Sequence, residues 1–162
     1  MANPLPQESE LYVEMKNGKI SIDPGMMDFL YHYIGDDITA ITLLCQYYLT
    51  NNEPIPLEQA ERILIYTRDI EMIINSVTKA STKDNFPFPQ FKFSIPLNHI
   101  IRDLLTYHFG NDVYVINLVV YDALNVVPPC PRQISINSTQ KIIERAKAIK
   151  IFLAQLLSAV CN

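Results

Sequence analysis

An apolar stripe with helical spacing runs along residues 57–80, and it limits the folds open to this chain more than any other feature. Its members recur at alternating intervals of three and four residues: Ala60, Ile63, Thr67, Ile70, Ile74 and Val77. This period is typical of an α-helix with one buried face, and Pro54 and Pro56 lie just before it. We predict a helix over residues 57–80 and a fold in which other helices cover its stripe.

Helix-start and helix-stop residues divide the preceding part of the chain into two shorter predicted helices. Asp23-Pro24 combines an N-cap residue with a proline at the first helical position, so a helix is expected to begin there and to end near Gly35. Asp36 or Asp37 then caps a second predicted helix, which continues to about Thr50.

The second half of the chain contains three further segments. A helix is expected over residues 97–109, because Gly110 interrupts the pattern there. Residues 113–127 are long enough for a helix but rich in β-branched side chains, which favour strands; helix is the preferred interpretation. A capping box over residues 137–140 predicts a last amphipathic helix, which extends almost to Asn162.

Two segments outside the helices have the pattern of strands. Residues 11–16 and 19–22 alternate apolar and polar side chains on either side of Asn17-Gly18, a dipeptide preferred in type I′ turns, and therefore predict a β-hairpin. Residues 81–96 carry three prolines that exclude a continuous helix, while residues 91–95 alternate and predict a short edge strand.

The predicted fold is therefore mostly α: a compact bundle of about six helices with an N-terminal β-hairpin. The class becomes α+β if residues 113–121 form a strand. Residues 1–162 are expected to form a single globular domain in which residues 1–10 fray, because no linker, repeat or low-complexity tract divides the chain.

Charge and composition argue against two classes of partner. The formal net charge is −4 at pH 7, so the chain lacks the basic character of a nucleic-acid-binding domain. The longest apolar stretch, residues 113–127, is interrupted by Asn117, Asp122 and Asn125 and is too short to cross a bilayer. Residues 1–10 lack a basic region followed by an apolar run, so no secretory signal is expected. We expect neither nucleic acid nor membrane as a partner.

The cysteines indicate a reducing compartment. Cys45, Cys130 and Cys161 are odd in number and have no Cys-x-x-Cys spacing. This pattern fits neither a disulfide framework nor a zinc site, so all three thiols are expected to be free and the protein to be cytoplasmic. Cys130 lies among prolines in a predicted loop, but no basic residue closer than Arg132 is present to activate its thiol.

Motifs for catalysis or cofactor binding are not found in the sequence. Asp28/His32 and His99/Asp103 are each four residues apart and could share a helix face, but neither pair has the two histidines of a zinc-binding helix. The four glycines are isolated, which excludes the familiar phosphate-binding loops, and no spacing selects a haem ligand. We expect no metal and no cofactor.

Apolar residues at positions that should be polar are the strongest functional signal. Ile65 and Met72 lie one heptad apart on the predicted helix 57–80, opposite its stripe and among charged residues. Ile151 likewise points away from the apolar stripe of the last helix. Phe86 and Phe88 lie in the proline-rich segment, where stiff backbone lowers the entropy cost of presenting aromatic anchors. These five residues are the predicted interaction sites.

The predicted function is a non-enzymatic protein–protein interaction or regulatory module that binds another protein or itself, the latter as a homodimer. The alternative is a small-ligand sensor or enzyme with an apolar pocket lined by Tyr, Phe and a histidine. A closed pocket beside His99 or His108 would favour the alternative, whereas a filled core would favour the interaction module.

Overall fold

The computed structural model describes residues 24–79 and 105–161. This part of the chain contains four α-helices: α1 Pro24–Thr50, α2 Leu57–Lys79, α3 Gly110–Leu124 and α4 Ile136–Cys161. It also contains two short strands: β1 Ile55–Pro56 and β2 Gln133–Ile134. The mostly α class is confirmed for these residues, whereas a bundle of about six helices is not. The hairpin predicted over residues 11–22 and the strand predicted over residues 91–95 lie outside the described residues.

The first two helices each bury one stripe of side chains in a shared core. The buried stripe of α1 consists of Leu30, Ile34, Ile38, Ile41 and Cys45. The buried stripe of α2 includes Ala60, Ile63, Thr67, Ile70 and Ile74. The predicted stripe of α2 is thus confirmed wherever its side chains are described. Each fully buried isoleucine stabilises the fold by about 1.5–3 kcal/mol, so this periodic burial outweighs any single local preference of the backbone.

The third and fourth helices complete the core. Buried side chains of α3 include Val113, Ile116 and Val120. Buried side chains of α4 include Ile142, Ala146, Ile149 and Leu153. An ion pair between Arg145 and Asp112, with Nη1 3.2 Å from Oδ1, also joins these two helices. Because the apolar residues recur at helical spacing, packing favours helix over strand despite the β-branched side chains of α3.

The four helices form a closed ring. Each helix packs against its neighbours in the chain, and α4 packs along α1. The strand β1 precedes α2, β2 precedes α4, and the two strands pair antiparallel with Ile55 opposite Ile134. Both isoleucines are fully buried. This pairing places the α1–α2 and α3–α4 loops at the same end of the ring, where α1 and α3 end and α2 and α4 begin. Neighbouring helices therefore run in opposite directions, as in an up-and-down bundle.

The predicted break near Gly35 is wrong, because α1 is continuous from Pro24 to Thr50. The buried stripe of α1 passes through this region, with Ile34 and Ile38 on either side of the glycine. The helix ends at Thr50, as predicted, and Asn52 just beyond it adopts the left-handed backbone conformation with φ 53°. The N–H of Asn52 bonds to the carbonyl of Leu49, and that of Glu53 bonds to the carbonyl of Tyr48. These bonds form a Schellman motif, which satisfies carbonyl groups left free at a helix end.

Gly110 likewise does not end a helix. A π-helical turn, Leu105–Phe109, leads directly into α3 at Gly110. Phe109 is fully buried, and its ring packs edge-to-face on Phe152 of α4 with a centroid distance of 5.1 Å. The strand alternative for residues 113–121 is also wrong, since all of them lie in α3. Burial of Phe109 anchors the start of α3 against α4, because an aromatic side chain of this size contributes strongly to core packing.

The last helix is capped two residues earlier than the sequence predicts. It starts at Ile136. Ser135 lies just before it, and its Oγ accepts a hydrogen bond from the backbone N–H of Ser138 at 3.2 Å. A serine in this position satisfies one of the free N–H groups at a helix start. Asn137, which the sequence analysis placed at the cap, is instead an exposed residue inside the helix.

Candidate interaction surfaces

Large apolar side chains lie on the outside of the ring as well as in its core. On α1 to α3 the exposed set includes Leu43, Tyr47, Ile65, Met72, Tyr114, Leu118 and Tyr121. Scattered exposed apolar residues are normal in proteins, but several at helical spacing form a continuous surface. Two such surfaces are defined here, one on α2 and one on α3.

The α2 face consists of Ile65 and Met72, which are 55% and 50% exposed. They lie on the side of the helix opposite its buried stripe, as their spacing predicts. Exposed charged residues surround them: Glu58, Glu61, Arg62 and Arg68. The α2 face is therefore a narrow apolar strip with both acids and bases at its margins.

The α3 tyrosine face consists of Tyr107, Tyr114, Leu118 and Tyr121. Tyr107 belongs to the π-helical turn, and the other three follow at intervals of seven, four and three residues, so they lie on one side of α3. Their exposed fractions range from 43% to 67%. The sequence patterns do not single out this surface. Its spacing is visible in the sequence, but the exposure of its side chains follows only from how α3 packs in the ring.

A polar network between α2 and α3 holds these two helices in a fixed relation. The buried Thr67 hydroxyl donates to Oδ1 of Asn117 at 2.5 Å, and Nδ2 of Asn117 donates to Oε1 of Glu71 at 2.6 Å. Asn117 is partly buried, and its amide makes both bonds; a buried polar group left without a partner would cost about 1–3 kcal/mol. Asn117, read in the sequence only as an interruption of an apolar stretch, is therefore a link between helices.

The remaining predicted interaction residues are not brought together with the α2 face. Ile151 is exposed on α4, which packs against α1 and α3 and lies across the ring from α2. Phe86 and Phe88 lie outside the described residues. On α1 the exposed Leu43 and Tyr47 form a shorter apolar patch, one helical turn long.

One carboxyl group between α1 and α2 has an unusual proton affinity. Burial, together with the nearby carboxylates of Asp69 and Asp36, raises the pKa of Asp37 from 3.8 to about 7. Desolvation and like charges both disfavour the ionised form of an acid. Asp37 on α1 and Asp69 on α2 lie at similar distances along the chain from the loop between these helices, as expected for an antiparallel pair. A carboxyl group whose pKa is raised towards neutrality thus lies where these two helices meet.

The candidate catalytic residues occupy ordinary positions where they are described. Nδ1 of His32 lies 3.4 Å from Oδ2 of Asp36, rather than pairing with Asp28, and both side chains are largely exposed. Cys130 is an exposed free thiol, whereas Cys45 is a buried one, and burial raises its pKa to about 12. His99 and the side chain of His108 lie outside the described residues.

An open cleft of about 310 Å³ lies where α3 ends and α4 begins. Its walls consist of Val119, Asp122, Ala123, Val126, Gln133, Ser135, Ser138 and Lys141. This cleft differs from the closed, histidine-lined pocket that the ligand-sensor alternative requires. Within residues 24–79 and 105–161, no three His, Cys, Asp or Glu side chains are grouped so that they could bind a metal ion. No helix of the described part combines the length and apolar composition needed to cross a membrane.

Comparison with known proteins gives no match to a family model, to a curated protein or to a solved structure.

Proposed function

We propose that this protein is a non-enzymatic interaction module that binds a partner protein through the α3 tyrosine face. The observation that supports this proposal is the row of three tyrosines and a leucine that remains exposed along one side of a well-packed helix. Tyrosine combines a large apolar ring with a hydroxyl group and loses little conformational freedom on binding, which is why it is enriched at the centres of protein interfaces.

The chemistry of α3 indicates what kind of surface would fit it. The helix carries Asp112 and Asp122 but no lysine or arginine. Asp112 already pairs with Arg145. A complementary partner would therefore present apolar side chains to the rings and hydrogen-bonding groups to the three phenolic hydroxyls, with basic rather than acidic residues at the rim.

We also propose a regulatory role in the cytoplasm and self-association as a homodimer, with the α2 face as a second contact surface. Phe86 and Phe88, Ile151, and the edge of the hairpin predicted over residues 11–22 remain further proposed contact sites. The hairpin also remains part of the proposed fold, together with the helices that would bring the bundle to about six.

Site-specific photo-crosslinking tests the proposal. A photoreactive leucine analogue at position 118 on the α3 tyrosine face is compared, in extracts of the native source, with the same analogue at position 43, an exposed leucine on α1. We expect a discrete protein adduct from position 118 but not from position 43. The substitution Tyr114→Ser should abolish this adduct, since it removes the neighbouring aromatic anchor, whereas Tyr47→Ser should not. Equal adducts at both positions, or an adduct unaffected by Tyr114→Ser, would contradict the proposal.

A further inference from the structure

We propose that a second copy of this chain docks on the α2 face, with the two α2 helices antiparallel and Ile65 on the twofold axis. This inference rests on the proposed function, because it treats an exposed apolar strip as a contact surface, and it names the occupant of that strip. A twofold contact uses the same patch on both copies and closes without further growth. The patch must then be complementary to itself.

The charges around Ile65 have this self-complementary arrangement. Glu61 and Arg68 lie on one flank of Ile65, and Arg62 and Asp69 lie on the other, as the 100° step of an α-helix requires. Within four residues of Ile65, each flank therefore carries one acid and one base, on opposite sides of Ile65 along the helix. The side chains of Glu61, Arg62 and Arg68 are exposed and that of Asp69 is partly exposed, so all four can reach a second copy.

Antiparallel docking pairs these charges with opposite signs. Across a twofold axis at Ile65, each flank meets the same flank of the other copy, and residues before Ile65 meet residues after it. Glu61, four residues before, then lies nearly level with Arg68 of the second copy, three residues after. Arg62 is level in the same way with Asp69 of the second copy. The mismatch of one residue is only about 1.5 Å along the axis, so four ion pairs can form around two isoleucines.

The other large apolar surface does not suit a second copy. The α3 helix has acidic residues but no basic ones, so two copies of α3 placed face to face would gain no ion pairs of the kind that the α2 face offers. The α2 face, in contrast, has both acids and bases at its margin, and these can pair with the acids and bases of a second copy.

Sedimentation equilibrium of the full chain over a wide concentration range tests the docking. We expect a reversible dimer whose dissociation constant rises with salt, because exposed ion pairs are screened. Ile65→Glu should weaken the dimer by at least about tenfold, since it places two carboxylates at the axis. Leu43→Glu, at an exposed leucine on α1, is the control and should leave the dimer unchanged. A monomer at all concentrations, or a dimer insensitive to Ile65→Glu, would overturn the proposal.

A charge exchange tests the antiparallel register. Glu61→Arg alone should weaken the dimer by about tenfold, because it places two arginines opposite each other at two symmetric positions. Adding Arg68→Glu should restore the dimer, since the pair is then present with its signs reversed. In a parallel dimer, Glu61 would instead face Arg62 and Arg68 would face Asp69 of the second copy, so the double change would weaken binding further. That result would overturn the antiparallel arrangement.

Failure of the dimer would leave untouched the proposal that a partner protein binds through α3. The cross-linking at position 118 reports on α3, and it requires no contact on α2. An adduct at position 118 from a strictly monomeric chain would overturn only the self-association, whereas a dimer without that adduct would overturn only the binding of a partner through α3.

Discussion

Asp37 couples the protonation of a single side chain to the packing of α1 on α2. Burial and the carboxylates of Asp69 and Asp36 raise its pKa to about 7 in the folded protein, while the same group in the unfolded chain titrates near its ordinary value of 3.8. Between these two pH values the folded state holds a proton that the unfolded state has lost. The stabilisation from this proton is complete below about pH 4 and is lost as the pH rises towards 7.

The substitution Asp37→Asn should remove this pH dependence. We expect the free energy of unfolding of the wild-type protein to fall between pH 4.5 and pH 8 because of this group, by about 1 kcal/mol after allowing for solvent screening of a half-exposed carboxyl. The variant should show a correspondingly smaller fall and should be the more stable protein at pH 8. Urea unfolding at three pH values measures the effect, and Asp28→Asn, at an exposed position on the same helix, is the control. Equal pH dependence in wild type and Asp37→Asn would refute the account of this site.

Individual residues also show how far sequence reasoning extends. The spacing of Ile65 and Met72 against the buried stripe was sufficient to predict that both are exposed, and the structure places them so; their role in binding stays a prediction. The role of Asn117 could not be predicted, because its partners Thr67 and Glu71 lie about 50 residues away in the chain. Contacts of that kind depend on how helices pack, which local patterns do not specify.

At the scale of single elements, local signals fail where tertiary packing opposes them. Gly35 and the two aspartates after it form a strong stop-and-start signal, yet α1 passes through them. A glycine inside a helix costs about 1 kcal/mol relative to alanine. Burial of Ile34, Ile38 and Ile41 along a continuous stripe contributes several times that amount, so the helix persists. In α2 the local and tertiary preferences agree, and its predicted extent is confirmed to within one residue.

The continuity of α1 can be tested with an alanine at Gly35. A Cβ atom added there would meet no other atom within 4 Å. We therefore expect Gly35→Ala to stabilise the protein by about 0.5–1 kcal/mol, because alanine favours the helix and restricts the unfolded chain. Asn52→Ala is the opposite control: φ at this residue is 53°, so alanine should destabilise the fold by about 1 kcal/mol. Urea unfolding measures both changes. Destabilisation by Gly35→Ala would mean that α1 is interrupted at this point.

At the scale of the whole molecule, the paired strands determine how the helices are arranged. Ile55 and Ile134 are far apart in the chain, and each strand is only two residues long, so no alternating pattern could reveal them. Their pairing holds both helix-to-helix loops at one end of the ring. The ring arrangement also determines which side of each helix faces outward. Sequence patterns thus predicted the elements of this part better than the contacts between them.

The ring leaves the α3 tyrosine face on its outside, where we propose that another protein binds. Hydroxyl-radical footprinting tests this binding most directly, because tyrosine oxidation reports exposure residue by residue. Tyr114 and Tyr121 are compared with Tyr47, an exposed tyrosine on α1 that serves as the internal reference. In purified protein we expect all three to be oxidised readily. In extracts of the native source, oxidation of Tyr114 and Tyr121 should fall relative to Tyr47, since a bound partner would cover them. An unchanged ratio in the two conditions would contradict the claim.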